Sequence, residues 1–356
     1  MSSLLKHIII ISILLIGIGI GCGRDGPLLI DTPIDEISNS LSTLIPDLMD
    51  RQDIVGLSVA VIRDNEKSLS KSFGYRDIES KKGVDAHTVY KAASLGKPVF
   101  AYLVVKLAQQ GKIDLDKPLY SYSGESVIEN DLRATQVTAR MVLSHSTGLP
   151  NLGLKSEEKK FYFNPGEAFK YSGHGYLYLQ KIVEDITNKS LNELAGELVF
   201  EPLEMSRSSY RWRDGYRDDI ASSYGGDKEK FSVKKEARVG YSAWSLYTTI
   251  GDYANFVSHI MSSSKDPDSV AAQLLEPTVN VVSGVKWGLG WGLQDTAPNQ
   301  SFWHWGNMAG FRHYVVGYPK EKMAIIVMSN SSKAFKMIDD VMAKAIGGSF
   351  PSYDWF

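Results

Sequence analysis

Strand-like segments near both ends of the chain, helix-like segments through its middle, and a composition able to fill a large core together predict an α+β fold. In this reading both termini complete one antiparallel sheet flanked by helices, and a mostly helical lobe is inserted between them. The 356 residues are 43% hydrophobic and 22% charged, enough for one large core or two interleaved lobes. From the N-terminal side, Ile34 to Asp50 places Ile34, Ile37, Leu41, Leu44, Ile45 and Leu48 at helical spacing, which predicts an amphipathic helix. Val55 to Ile62 and Ser68 to Tyr75 read as two strands around the turn residues Asp64-Asn65. Toward the other end, Val285 to Gln294, Phe311 to Tyr318 and Met323 to Ser329 are strand-like, the last two joined by Pro319-Lys320-Glu321-Lys322. A final helix is predicted over Phe335 to Ile346. The middle supplies helical pieces at Ala139 to Ser144, Gly175 to Thr187, Leu191 to Phe200 and Gly251 to Met261. The folded domain is thus expected over residues 34–348, its α/β lobe over about 34–120 and 275–348 and its helical lobe over about 121–274. A cleft between the lobes is the expected ligand site.

Charge excludes one class of partner. The 41 acidic and 39 basic residues nearly cancel to a net charge of −2, and no basic run is interleaved with aromatics, so no nucleic-acid footprint is present. The seven histidines show no ligand-like pairing with acidic residues, and neither a metal nor another cofactor is expected. The chain opens with Lys6-His7, an apolar run from Ile8 to Ile20, and then Gly21-Cys22-Gly23. That run has secretory length and is short for a membrane span, so residues 1–21 are read as a signal peptide and 22–33 as a linker. Cys22, the single cysteine, stands where a bacterial lipoprotein signal places its lipidated residue, although Gly19 replaces the usual Leu of that signal. The expected location is therefore the cell envelope, with a lipid anchor at the periplasmic or extracellular face of a bacterial membrane. A plain signal peptide or an uncleaved anchor is the alternative. One cysteine leaves no internal disulfide.

The chemistry rests on three clusters. Ser-x-x-Lys occurs seven times, beginning at Ser3, Ser68, Ser94, Ser156, Ser232, Ser262 and Ser283, so the tetrad alone selects nothing. Only Ser94-Leu95-Gly96-Lys97 is followed by a buried helix face, Val99, Phe100, Leu103, Val104 and Leu107, with Gln109-Gln110-Gly111 as its stop. Ser94 is then at a helix N-terminus with Lys97 one turn away on the same side. Pro98 fits poorly if the helix begins at Ser94 itself. A serine hydroxyl needs a base, and a lysine becomes one when burial lowers its pKa; taken alone, the pair is equally a helix cap and a solvated lysine. Tyr171-Ser172-Gly173-His174-Gly175-Tyr176 precedes a second apolar-periodic helix, and Tyr171 there is either a half-buried aromatic or a proton relay whose pKa a neighbouring ammonium lowers. His304-Trp305-Gly306-Asn307 lies on a strand where small residues admit a substrate backbone and backbone N–H groups can complete an oxyanion hole with that of Ser94. His145, His259 and His313 are read as structural.

Taken in order, Ala92-Ala93-Ser94-Leu95-Gly96-Lys97-Pro98, Gly111-Lys112-Ile113-Asp114-Leu115-Asp116, Val142-Leu143-Ser144-His145-Ser146-Thr147-Gly148-Leu149-Pro150, the Tyr171 cluster and the His304 cluster resemble the serine β-lactamase-like superfamily. That group holds the class C β-lactamases, penicillin-binding proteins and family VIII-type esterases, and the likeness covers about Val55 to Asn330. The resemblance implies a β-lactamase/DD-peptidase-like fold with Ser94 as the acylated nucleophile, Lys97 as its buried proton partner and Tyr171 as the catalytic tyrosine. It also implies that His304-Trp305-Gly306 matches the Lys-Thr-Gly or His-x-Gly strand motif, with Asn307 offering its backbone N–H. The segment Ser144 to Pro150 then supports the cleft. Two positions depart from the β-lactam-cleaving members: Gly173 stands where they carry an Asn whose amide contacts the acyl side chain, and His304 replaces a lysine, so only a protonated His304 can attract a carboxylate. The expected function is a serine hydrolase cleaving an ester or amide of a small-molecule or peptidoglycan-related substrate, of carboxylesterase or D-amino-acid peptidase/esterase type. β-Lactamase activity or a non-hydrolytic penicillin-binding lipoprotein is the alternative.

Overall fold

The computed structural model describes residues 26–152, 158–231, 236–296, 299–348, 350 and 352–353, so the leader and Cys22 lie outside it. Helix α1 (Ile34–Gln52) turns Ile37, Leu41, Ile45 and Leu48 inward and ends at Asp53 in a left-handed conformation. Strands β1 (Gly56–Arg63) and β2 (Glu66–Asp77) follow, joined by Asp64 and Asn65 at φ 50° and 65°. Two successive positive φ values are what a two-residue hairpin turn demands, and Asp and Asn tolerate them best after glycine. Short strands β3 (Lys82–Gly83) and β4 (Tyr90–Ala93) lead into α2 (Gly96–Gln109), which Gly111 at φ 68° terminates.

The middle of the chain folds as α3 (Tyr120–Ser123), α4 (Ala139–Leu143), α5 (Gly173–Thr187) and α6 (Leu191–Ala195), the last continued by a wide helical turn over Gly196–Phe200. Strand β5 (Leu246–Thr248) returns to pair with β4. Helices α7 (Ile250–Ser263) and α8 (Val270–Leu275) come next, α7 packing against β1, β2 and the strand β11 described below.

Strands β6 (Val279–Val282), β7 (Val285–Trp287), β8 (Gly292–Thr296), β9 (Asn299–Met308), β10 (Phe311–Tyr318) and β11 (Met323–Ser329) then precede α9 (Ile338–Ile346). With β1, β2 and β3 these six strands form one nine-stranded antiparallel sheet in the order β3-β2-β1-β11-β10-β9-β8-β7-β6. Leu57 faces Ser329 and Val61 faces Ile325 across β1 and β11, so both ends of the chain complete the sheet as the sequence predicts.

Period-two alternation divides the core. Leu57, Val59, Val61, Ile325 and Val327 join α1 and α9 on one face of the sheet. Ala60, Ile62, Ile326 and Met328 join α2, α5 and α7 on the other. Each fully buried large aliphatic side chain is worth about 1.5–3 kcal/mol. One expected element differs: the segment Val285 to Gln294 is a hairpin of β7 and β8 rather than one strand, because the chain reverses at Gly288-Leu289-Gly290, where Gly290 takes φ 82°. Here a Cβ on Gly290 would lie 2.5 Å from the Ala101 methyl.

Candidate active site

The site forms where β4 runs into α2. Ala93, the last residue of the strand, has φ 52°, uncommon for a residue with a Cβ, and this sharp bend turns the chain into the helix. The helix begins at Gly96, two residues beyond Ser94. Pro98 therefore falls in the first turn, where a missing N–H costs nothing, and its awkwardness disappears.

Lys97 is 2% exposed, and its Nζ donates to Ser94 Oγ at 3.1 Å and to the Ala243 carbonyl at 2.6 Å. Among the described residues no carboxylate offsets its burial, and burial pulls the ammonium down to about 7. Its Nζ also lies 4.9 Å from the centre of the Tyr171 ring and 5.6 Å from that of Tyr176.

Tyr171 is half-buried, while its hydroxyl is buried and makes no hydrogen bond of ordinary geometry to a described residue. Burial holds the phenol well above its usual range, and the nearby Ser94 hydroxyl offsets only part of that shift. This corrects the expectation of a lowered phenol, because burial outweighs what the neighbouring groups contribute. Burial thus drives the two groups apart, the ammonium down and the phenol up.

Tyr171 is held by aromatics. The His145 ring lies 4.2 Å away at 33° and the Trp305 ring 5.0 Å away at 34° on centroid distances. His145 is fully buried, and its Nδ1 accepts the Ser172 N–H at 3.0 Å, which places the ring proton on Nε2. The sequence reading treated His145 as structural; the structure sets it against the face of Tyr171, a contact that only the fold creates.

His304 is fully buried, and its Nδ1 donates to the Trp305 carbonyl at 2.8 Å, which leaves Nε2 as a buried acceptor without a partner among the described residues. Burial, with Lys97 adding to it, takes the imidazole down to about 3. His304 is therefore neutral, and the expectation that it attracts a carboxylate when protonated fails on its desolvation.

Gly306 permits a close crossing of β9 over β4, since a Cβ there would lie 2.6 Å from the Ala92 carbonyl oxygen. The pairing of β8 with β9 runs only from Asn299 to Trp303, so the edge of β9 over residues 304–307 has no strand partner on that side among the described residues, with Asn307 exposed at its end. Gly173 opens α5, and its N–H donates to Asn151 Oδ1 at 3.1 Å. Its φ is not positive; a Cβ there would meet Leu152 Cγ at 2.7 Å, so the missing side chain is a matter of space rather than backbone strain. The fold thus gathers Ser94, Lys97, Tyr171 and His304 into one desolvated cluster. Such an arrangement can deprotonate a hydroxyl with a neutral amine and donate a proton from a phenol.

Comparisons with known proteins agree with this fold. The β-lactamase family model matches residues 41–347. Protein flp of Staphylococcus aureus strain MRSA252 is 19% identical over 327 residues, covering 85% of this chain and 64% of the relative. The unguisins hydrolase ungD of Aspergillus violaceofuscus is 23% identical over 366 residues with the same two coverages. The chain spans 64% of the length of these curated relatives. The octameric penicillin-binding protein homologue from Pyrococcus abyssi superposes with a TM-score of 0.74 at 23% identity, covering 86% of this chain and 76% of that one. A class C β-lactamase mutant superposes with a TM-score of 0.76 at 20% identity, covering 88% and 98% respectively. With the family match spanning most of its length and the same fold in its solved neighbours, the chain belongs to the β-lactamase family and has that family's serine-hydrolase fold.

Proposed function

We propose that this protein is a serine acyl-hydrolase that cleaves esters through an acyl-enzyme on Ser94. The observation that supports this most directly is the 3.1 Å contact between Ser94 Oγ and a Lys97 amine that burial brings to about 7. In this reading Lys97 takes the Ser94 proton as Oγ attacks the carbonyl, and the N–H groups of Ser94 and Asn307 receive the oxyanion. Tyr171 gives its proton to the departing alkoxide and regains one from the Lys97 ammonium, so the serine proton ends on the leaving alcohol. Water then attacks the acyl-enzyme by the reverse path and releases the acid.

Two features favour esters over β-lactams. Neutral His304 supplies no cation for a carboxylate beside the scissile bond, and Leu152 occupies the space that a side chain on Gly173 would need. A peptidoglycan-related D-amino-acid ester or amide stands as the physiological candidate, and β-lactam turnover as the second reading. The envelope location through lipidated Cys22 is part of the same proposal and rests on the leader alone; metabolic labelling with a palmitate probe, lost in Cys22→Ser, tests it.

Fluorophosphonate labelling of wild type and Ser94→Ala tests the nucleophile. Labelling of wild type that vanishes in a folded Ser94→Ala protein is expected, and undiminished labelling of the variant overturns the assignment. Intact-mass measurements after incubation with p-nitrophenyl esters and with a penicillin then show which adduct forms and decays.

A further inference from the structure

A cavity of about 310 Å³ lies along the two strands that lead to the candidate site, walled by Trp212, Ile220, Phe231, Met308 and Phe311 and containing Lys91. Its size is at the small end of ligand pockets and suits a short chain or one ring. It adjoins the candidate site through both neighbouring strands, since Lys91 precedes Ser94 by three residues on β4 and Met308 follows Asn307 on β9.

Lys91 is held firmly at its base. It pairs with Tyr247 of β5, and its carbonyl oxygen and His313 Nε2 lie 2.9 Å apart in a hydrogen bond. Tyr90 and Ala92 on either side are fully buried in the core, so strand alternation turns Lys91 the other way, into the cavity. Its ammonium is half-buried, and burial lowers it while Glu236 acts in the opposite sense.

Two other charges line the cavity, and both already have partners: Arg217 lies 3.5 Å from Asp214, and Glu236 lies 3.7 Å from Arg238. Lys91 has no ion pair within 4.0 Å among the described residues. Glu236 acts on Lys91 only from beyond 4.0 Å and is itself paired with Arg238, so a half-buried ammonium with no hydrogen bond to a described residue keeps its donors for a bound anion.

None of Lys97, Tyr171 and His304 lines the cavity. The departing alcohol must stand by the phenol that protonates it, so the arm of the substrate that extends toward the cavity is the acyl arm. Resting on the acyl-hydrolase reading above, we infer that this cavity is an acyl-group site and that Lys91 recognises a carboxylate at the far end of an otherwise apolar acyl chain. The substrate class is then the monoester of a short dicarboxylic acid, or an acyl group of similar length ending in an anion. This recognition stands apart from a carboxylate beside the scissile bond, which the neutral His304 does not serve.

The test uses p-nitrophenyl hexanoate and mono-p-nitrophenyl adipate, which differ only in the terminal carboxylate, with p-nitrophenyl acetate as reference. Wild type is expected to favour adipate over hexanoate in kcat/KM by about tenfold, the value of one charge-assisted hydrogen bond at a half-buried site. Lys91→Met should bring that ratio to one or below, and Lys91→Arg should retain most of it. The adipate advantage of wild type should also shrink as salt rises, a reading that needs no variant to fold. A wild-type ratio at or below one, a ratio untouched by Lys91→Met, or a preference that appears only when the carboxylate is on the alcohol overturns the inference. If wild type turns over acetate and labels at Ser94 while the ratio fails, the acyl-site inference alone is lost. If no ester is cleaved and Ser94 does not label, the hydrolase reading falls first.

Discussion

Lys97 and Lys230 carry the same ammonium in two regions of one molecule, and their surroundings drive it in opposite directions. Lys230, on the surface beside β2, lies 2.7 Å from Asp77 and 2.6 Å from Glu79, and these carboxylates hold it above its ordinary value. Lys97, under α5 and the β9 edge, has a serine, a backbone carbonyl and two aromatic rings around it, and falls to about 7. The surface cluster leaves the lysine a permanent cation. The buried cluster leaves it divided between two protonation states near neutrality, which is what proton transfer requires.

The strongest way to break this comparison is to remove each lysine and follow ester hydrolysis. Lys97→Met is expected to lower kcat/KM roughly 10²–10⁴-fold, the usual worth of a positioned base, and Lys230→Met to leave it unchanged. Tyr171→Phe should lower it by a similar factor, with a double variant no worse than the poorer single, because members of one relay act together. Additive losses would separate Tyr171 from Lys97. In wild type, kcat/KM should rise with pH through an apparent value near 7 as the Lys97 amine is freed. A flat profile between pH 6 and 8 would count against Lys97 as the base.

Stability sharpens the contrast. A lysine whose folded pKa lies below its ordinary 10.5 opposes folding in full at and below about pH 7, and the penalty fades as pH rises toward 10.5. Lys97→Met should therefore stabilise the fold against urea at pH 7 by on the order of a few kcal/mol, and by much less near pH 10. For Lys230 the folded value is raised, so its contribution is full at neutral pH and lost only in strong alkali. Because that pair is partly solvated, Lys230→Met should cost no more than about 1 kcal/mol. Equal effects of the two replacements at pH 7 would show that burial does not distinguish them.

The smallest expected effect is at Gly173. Gly173→Asn alone places a side chain against Leu152 and should cost about 1–3 kcal/mol of stability. Combined with Leu152→Ala, it should shift the ratio of kcat/KM for a cephalosporin over a p-nitrophenyl ester upward by several-fold, about one hydrogen bond's worth. A double variant that is stable and has an unchanged ratio removes Gly173 from the account of substrate choice.

The strands near the two termini were legible because each has a clear boundary, such as Asp64-Asn65 and Pro319 to Lys322, and because β1, β10 and β11 are long apolar runs. Between Val285 and Gln294 the apolar residues continue straight through a reversal, Trp287-Gly288-Leu289-Gly290-Trp291, and only the glycines betray it. Ser94 and Lys97 could be read from the helix that follows them. The direction of the Tyr171 and His304 shifts could not, since it depends on burial by residues distant in the chain, His145 and Trp305 against Tyr171 and Trp287 against His304, which no local pattern records. The Ala243 carbonyl that holds Lys97 leaves no trace in residue type at all, because any residue has one.

The pairing of β1 with β11 also governs when this protein can exist. Strand β1 emerges early from the ribosome with β2 as its only partner, and its other edge, an apolar row from Leu57 to Ile62, waits for residues 323–329. A nascent chain therefore carries an unfinished, adhesive edge until residues 323–329 have been made, and the centre of the sheet closes only then. Closure of the sheet thus waits on a contact of long sequence separation, which is slow to form and leaves the earlier strand open to wrong pairing in the interval.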